Sequence, residues 1–218
     1  TGFGEVHQYW AHMFAVLAVA SLVVGNLAAI MQTNIKRMFA YSTVSHMGFI
    51  LLAFMAGSIG STAGLYYAIT YALMAAAGFG ILMVLSNDNI ECEEIKDLAG
   101  LNQRHAWFAL LMLLVMFSMA GIPPLMGFYA KFGVIMVLLK FHYVWLSVFA
   151  VVMSLIGAFY YLRVVKVMYF DEPTHDQPIG SNYAAKFFLS VNAFLLVLWG
   201  IMPQTVIDWC ARALENTL

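Results

Sequence analysis

The sequence predicts an all-α, polytopic membrane protein with six transmembrane crossings, one of which is a broken helix. Of its 218 residues, 63% are hydrophobic and only 10% are charged, whereas a soluble domain is about half apolar and a quarter charged. The apolar residues form stretches long enough for the roughly 20 helical residues that cross a bilayer. With a net charge of −1 and no basic stripe, the sequence gives no indication of nucleic-acid binding.

The longest apolar stretch, residues 106–140, carries a proline pair near its centre. At about 35 residues it is too long for one straight crossing, which needs about 20. Pro123 and Pro124 remove backbone donors, and their rings clash with the preceding turn. Gly121 and Gly127 let the chain bend there. We therefore expect two half-helices with a break between them.

Lys131 is the only Asp, Glu, Lys or Arg in this stretch before Lys140. Helix rise puts it about 14 Å from the end of the second half-helix, close to mid-membrane. A broken membrane helix with one ionisable group is a form that transporters use for an ion or proton site. Lysine can release its proton when buried, which arginine cannot. Two alternatives stay open: the lysine caps free carbonyls of the break, or an acid outside this sequence neutralises it.

The first span is expected at residues 13–31, after a polar and aromatic lead-in at residues 1–11 that suits the membrane surface. Gly25 and Asn26 interrupt its apolar run, and such small residues would let a neighbouring helix approach closely. The second span is expected at residues 38–56.

This second span is unusual because polar side chains, including Tyr41 and Ser45, crowd its first half. Hydroxyls can bond to the carbonyls of their own helix, but an imidazole has no such partner. His46 lies about 14 Å into the span, at a depth similar to that of Lys131, so we expect both in one polar layer on a proton path. The alternative is a structural histidine that bonds to a neighbouring helix.

A tight turn at residues 57–61 is expected to lead into the third span, residues 62–85. Tyr67 and Tyr71 are four residues apart and therefore share a helix face. An aromatic stripe of this kind is more often packing than a hydroxyl relay. Tyr71, together with Tyr129 beside the break, is a candidate helper to the proton site, as are Tyr41 and Ser45.

The polar connection at residues 86–105 carries an acidic run, which we interpret as a solvated loop, with a docking surface for a partner as the alternative. The next span is expected at residues 143–170, where Arg163 and Lys166 can extend to the interface. A proline-containing loop, residues 171–182, follows.

The last span is expected at residues 184–209, with Pro203 near its end and Trp209 as an interfacial anchor. Cys92 and Cys210 would then lie near opposite faces, so no disulfide or metal framework follows. Loops after the first, third and fifth crossings hold most of the basic residues, which places both chain ends on the non-cytoplasmic side. These residues are Lys36, Arg37, Lys96, Arg104, Arg163, Lys166 and Lys186, out of 10 in the chain.

Three segments resemble the antiporter-like membrane subunits of respiratory complex I. GIPPLMGFYAKF, residues 121–132, resembles the family's broken-helix motif, and NIKRMFAYSTVSHMG, residues 34–48, resembles its other signature. FYYLRVVKVMYFDEP, residues 159–173, is similar to the end of the penultimate helix. The family's lysine and histidine match Lys131 and His46. The lysine also favours the lysine-bearing member over a sister subunit in which an acid usually takes that place.

The resemblance implies a single membrane domain, residues 1–218, that is the C-terminal half of such a subunit. Residues 1–170 would be the second five-helix repeat, with the broken helix at 106–140, and residues 184–212 would be one extra transmembrane helix. The first repeat is absent from this sequence, so we expect a piece of a longer polypeptide or one half of a split subunit.

The implied function is proton translocation in the membrane arm of NADH:quinone oxidoreductase, coupled to quinone reduction. The sequence has no GxGxxG after a strand and no cysteine cluster, so NADH, FMN, iron–sulfur clusters and quinone are expected in partner subunits, with no redox catalytic residue here. Expected partners are other membrane-arm subunits, the missing N-terminal half and the bilayer of a bacterial inner membrane, in preference to a mitochondrial one. The alternatives are a multisubunit sodium/proton antiporter and a passive membrane scaffold.

Overall fold

The described residues of the computed structural model are 7–86, 92–173 and 183–215, and their regular structure is helical. This confirms the predicted all-α class. The helices are α1 His7–Met31, α2 Ile35–Phe54, α3 Gly57–Leu85, α4 Leu101–Arg104, α5 Ala106–Ala120, α6 Met126–Lys140, α7 Val144–Phe170, α8 Tyr183–Ile201 and α9 Pro203–Glu215, with a 3₁₀ turn at Ile95–Leu98.

Within the described residues, four helical segments are long and apolar enough to cross a bilayer by length and composition. They are Trp10–Met31, Gly60–Leu85, Val144–Phe170 and Tyr183–Ile201. Helix α7 begins within one residue of the predicted fifth span. The predicted lead-in was too long, because α1 already begins at His7 and no glycine or proline interrupts the chain between His7 and Ala15. Residues 1–6 lie outside the described residues.

Helices α1 and α2 pack closely because a glycine on each helix lies against the other helix. A side chain at Gly25 would lie 2.6 Å from the Ser45 amide nitrogen, and one at Gly48 would lie 2.9 Å from Leu22. Helix α2 begins at Ile35 because the Asn34 side chain accepts a hydrogen bond from the Arg37 amide at 3.0 Å. The close approach expected at Gly25 is therefore confirmed.

The tight turn predicted at residues 57–61 was wrong. The chain reverses at Met55 and Ala56, and residues 57–61 are the first turn of α3. Gly57 has a φ of 64°, which a glycine adopts without steric cost. The remaining glycine and serines of the segment are compatible with the helix that follows this turn.

Part of the predicted solvated loop folds against the chain. The Ile35 amide donates to the Glu93 carbonyl at 2.7 Å, and the Ile95 amide donates to the Thr33 carbonyl at 2.9 Å. The Asp97 carboxylate accepts from the Glu94 amide at 2.8 Å and so caps the 3₁₀ turn. Glu93 and Asp97 thus form hydrogen bonds within the chain. Asp88 and Glu91 of the acidic run lie outside the described residues.

The break in the long apolar stretch is confirmed. Helix α5 ends at Ala120, where Gly121 takes the left-handed conformation with a φ of 87°, and α6 begins at Met126. The Pro123–Pro124 peptide bond is cis. Helices α2, α3, α7 and α8 all pack against α6, so the break lies inside the helix bundle.

The last predicted span, residues 184–209 or 184–212, was wrong as a single helix. Helix α8 ends at Ile201 and α9 begins at Pro203, because proline has no amide hydrogen to continue the α8 ladder but suits the first position of a new helix. One face of α9 buries Val206 and Cys210. Trp209 stays exposed, as expected for an interfacial side chain.

The contact between α8 and the break predicts that a larger side chain at Gly200 destabilises the protein. A side chain at Gly200 would overlap the Pro124 carbonyl, whereas one at Gly133 would meet nothing within 4 Å. We expect Gly200→Ala to lower the free energy of unfolding by about 1–3 kcal/mol and Gly133→Ala to change it by less than about 0.5 kcal/mol. Thermal unfolding of the purified full-length protein in detergent measures both. Equal midpoints would show that α8 does not contact the break this closely.

Candidate functional site

Lys131 turns back across the break onto the end of α5. Its Nζ donates to the carbonyl oxygens of Met119 at 2.9 Å and Ala120 at 3.0 Å. These carbonyls have no partner within α5 because the helix stops at Ala120, and the C-terminus of a helix favours a cation. Only 7% of Lys131 is exposed. The capping contact left open as an alternative is therefore present.

No ion pair between described side chains involves Lys131, and its other close neighbour is aromatic. The Nζ lies 5.6 Å from the centre of the Phe49 ring, a distance at which a ring attracts a cation. Phe49 in turn stacks on Tyr67, with 5.6 Å between ring centres and 13° between planes. The amine thus lies between a helix end and an aromatic pair.

His46 contacts this pair through Tyr67 and has a hydrogen bond at each ring nitrogen. Its Nδ1 is 2.8 Å from the Tyr67 hydroxyl, and its Nε2 is 3.1 Å from the Tyr161 hydroxyl. His46 is 3% exposed. A neutral imidazole has one donor and one acceptor nitrogen, so one tyrosine donates to His46 and the other accepts from it. The structure therefore places Lys131 and His46 in one cluster, linked by the contacts of Phe49 and Tyr67.

The polar side chains continue beyond His46 to α1. The Tyr160 ring lies beside that of Tyr161, tilted by 55° with 4.4 Å between ring centres, and its hydroxyl donates to Asn26 Oδ1 at 3.1 Å. Asn26 Nδ2 donates to Ser45 Oγ at 3.0 Å and to the Leu22 carbonyl at 2.8 Å. We call the set Lys131, Phe49, Tyr67, His46, Tyr161, Tyr160, Asn26 and Ser45 the polar chain.

Two of the four candidate helpers lie at this site. Ser45 belongs to the polar chain, and the Tyr71 ring centre is 4.7 Å from that of His46. The Tyr71 hydroxyl, however, bonds to Thr43 Oγ1 at 2.5 Å. Tyr71 therefore packs on the imidazole and is not hydrogen-bonded to it.

The other two helpers are placed elsewhere. Tyr41 is five residues before His46, which turns it by about 140° around the helix, and 38% of it is exposed. Tyr129 lines a cleft of about 600 Å³ with Tyr66 and residues of α9. Neither forms a hydrogen bond with Lys131 or His46 among the described contacts.

Gly127 serves a different purpose from the predicted bend. A side chain there would overlap the Ser118 carbonyl, and the Gly127 amide donates to Ser118 Oγ at 3.1 Å. Gly127 therefore allows close approach of α6 to α5, whereas Gly121 supplies the bend. Pro123 and Pro124 lie between the two half-helices as predicted.

Sequence reasoning missed the tyrosine pair of α7, Phe49 and Ser118. Tyr160 and Tyr161 are each 1% exposed, and the only signal for them is that two adjacent hydroxyls lie inside an apolar span. Asn26 was noticed only as a small residue. In each case the missing information is the face that the helix turns towards its neighbours.

Residues 3–157 match the family described as NADH:quinone oxidoreductase/Mrp antiporter, transmembrane. The chain belongs to this family. The family description and the long apolar helices make it a multi-pass membrane protein. The resemblance drawn from the proline and histidine motifs is therefore confirmed.

Curated members of the family include close relatives named NADH-quinone oxidoreductase subunit N. The one from Neisseria gonorrhoeae is 80% identical over 219 residues, which cover 100% of this chain and 46% of the relative. The one from Nitrosomonas europaea is 50% identical, covering 100% and 45%. The chain thus spans about half the length of the curated relatives it matches. These relatives agree with the expectation of the lysine-bearing member of the family.

Solved structures of the family share the fold. A chain of respiratory complex I from Thermus thermophilus with bound aureothin has a TM-score of 0.82 and 29% identity, covering 90% of this chain and 45% of that one. A chain of the Mrp complex from Dietzia sp. has a TM-score of 0.85 over 94% of this chain and 47% of that one. Its identity is 21%, so this second likeness concerns the fold alone.

The hydrogen bond across the break predicts an effect of Ser118→Ala. The variant leaves the buried Gly127 amide without an acceptor, which costs about 1–3 kcal/mol. Ser61→Ala is the control, because Ser61 Oγ donates only within its own helix, to the Gly57 carbonyl. Hydrogen–deuterium exchange of the full-length protein should rise at residues 117–131 in the first variant only. Unchanged exchange there would show that Ser118 does not join the half-helices.

Proposed function

We propose that this chain is part of a proton-translocating membrane-arm subunit of NADH:quinone oxidoreductase, in which quinone reduction elsewhere drives proton transport. The main support for this proposal is the buried amine of Lys131, which caps the end of α5. It is linked through the Phe49 and Tyr67 rings to His46, which has a hydrogen bond at each ring nitrogen. An ionisable group at membrane depth is costly and is therefore retained for a function. The names of the close relatives support the same assignment.

In this proposal the redox chemistry belongs to partner subunits, which would hold NADH, FMN, iron–sulfur clusters and quinone. This chain contributes the proton-carrying side chains. The other membrane-arm subunits and the first repeat of its own subunit would pack beside it in a bacterial inner membrane.

The proposed topology has six crossings, of which α5 and α6 together form one. Helix α2 and the two half-helices add to the four long apolar segments. The basic residues then gather in the loops on one side, which supports a non-cytoplasmic location for both chain ends. Residues 1–170 would be the second five-helix repeat of the antiporter-like fold, and α9 would lie along the non-cytoplasmic surface.

The hydrogen bonds of His46 support a relay by tautomer exchange. When one tyrosine hydroxyl passes its proton to His46, it must take a proton from the donor before it. The opposite ring nitrogen then gives its proton to the other tyrosine, whose hydroxyl releases its own proton onward, so that both tyrosines and the imidazole end neutral and the tautomer of His46 is reversed. Among the described contacts, Tyr67 and Lys131 are linked only through the Phe49 ring, which cannot carry a proton. Transfer to Lys131 therefore requires a water chain past Phe49 or a movement of that ring.

Methionine and arginine substitutions at Lys131 separate its two roles. Lys131→Met removes both the cap and the proton carrier, whereas Lys131→Arg keeps a charged donor that can cap α5 but cannot release its proton. We expect NADH-driven proton uptake into vesicles to be lost in both variants of the assembled oxidoreductase. NADH oxidation by detergent extracts reports assembly.

Proton uptake at the wild-type level in Lys131→Arg would show that Lys131 acts only as a cap. Normal uptake in Lys131→Met, with assembly intact, would favour a passive scaffold. The antiporter alternative is tested by purification of the complex: partners with flavin and iron–sulfur clusters support the oxidoreductase, and their absence supports the antiporter.

The tyrosine beside His46 offers a matched pair of variants. Tyr67→Phe removes the partner of His46 Nδ1, whereas Tyr41→Phe removes a hydroxyl on the exposed side of the same bundle. We expect proton uptake per NADH oxidised to fall severalfold in the first variant and to stay at the wild-type value in the second. An unchanged ratio in Tyr67→Phe would exclude its hydroxyl from the proton path.

A further inference from the structure

Helices α1 and α7 carry three successive polar levels, each about one helical turn from the next. The innermost level is the hydrogen bond between Tyr160 and Asn26 at the end of the polar chain. The next is Arg163, which contacts the carbonyls that end α1. The outermost is a cleft of about 670 Å³ lined by Thr33, Val167 and charged side chains.

Arg163 is fixed between the cleft and the polar chain. Its guanidinium donates to the Ile30 carbonyl at 3.1 Å and to the Gln32 carbonyl. The side chain is half-buried, and its Nε has no partner among the described atoms. No described carboxylate forms an ion pair with it. Arg163 therefore presents a fixed positive charge that neighbouring acids do not neutralise by direct contact.

The cleft beyond Arg163 is suited to collect protons. The carboxylates of Glu94, Asp171 and Glu172 line it together with Lys96. Lys166 pairs with Asp171 at 2.7 Å, and Glu94 belongs to the capping box of the 3₁₀ turn. Glu172 forms no ion pair among the described side chains, so its carboxylate is available to bind cations from solution. An open path from this cleft to Tyr160 would connect the polar chain to the face that holds the basic loops.

We propose that Arg163 is an electrostatic barrier that prevents protons in this cleft from reaching the Tyr160–Asn26 end of the polar chain. A fixed cation in a narrow passage repels hydronium, as it does in selective pores. Arginine keeps its own proton, so it cannot act as a relay. The inference rests on the proposed function, because a barrier matters only if the polar chain conducts protons.

The test is passive proton flux in proteoliposomes that contain the intact oxidoreductase without NADH. A potassium gradient with valinomycin drives protons inward, and a pH-sensitive dye inside reports them. We expect the influx to rise severalfold in Arg163→Gln and in a second neutral variant, Arg163→Met. Arg163→Lys retains the charge and should stay near the wild-type influx. Lys166→Gln, one turn away on the exposed side, is the control and should not leak.

A second variant tests the route of the leak. Adding Asn26→Leu to Arg163→Gln should suppress the extra influx, because it breaks the polar chain at its first link. Wild-type influx in both neutral variants, or an equal rise in sodium permeability that indicates general loosening, would overturn the proposal. Because no NADH is present, these results are independent of the Lys131 experiment. Failure of the barrier and failure of the proposed function are therefore distinguishable.

Discussion

The structure depends on the carbonyl groups released where α5 stops inside the bundle. Backbone oxygens in hydrocarbon must find partners, because no bulk water is available. The carbonyls of Phe117 and Ser118 accept from the Gly121 and Ile122 amides. Those of Met119 and Ala120 accept from Lys131. The free carbonyls at the break are thus bonded by a side chain from the helix that follows it. This contact keeps an ionisable group buried inside the bundle.

Capping and proton carriage are compatible roles for the same amine. A charged lysine forms the strongest hydrogen bonds to the free carbonyls at the end of α5. After it has released a proton, the neutral amine can still donate to the same carbonyls, but more weakly. Lys131 contacts Phe49, Phe49 stacks on Tyr67, and Tyr67 bonds to His46. The two titratable groups are therefore linked through two aromatic rings, with no hydrogen bond between them among the described contacts.

Features that rest on local backbone chemistry were predictable from the sequence. The proline pair and Gly121 fixed the break, and the absence of other charges singled out Lys131. The faces of the helices were not predictable, because a membrane helix is apolar towards lipid as well as towards its neighbours. Tyr41 was therefore grouped with His46 although it points elsewhere, and Tyr160 and Tyr161 were overlooked. The division at Pro203 was missed although the proline and the polar Gln204 and Asp208 after it are visible in the sequence.

Gly200 gives the last long helix a mechanical role. With no side chain at this position, the α8 backbone lies directly against the Pro124 carbonyl and the Met126 amide, with no compressible layer of side chains between them. We therefore expect a change in the shape of the break to displace α8. Because α9 follows α8 after a single residue, we expect this displacement to extend to the helix that carries the exposed Trp209.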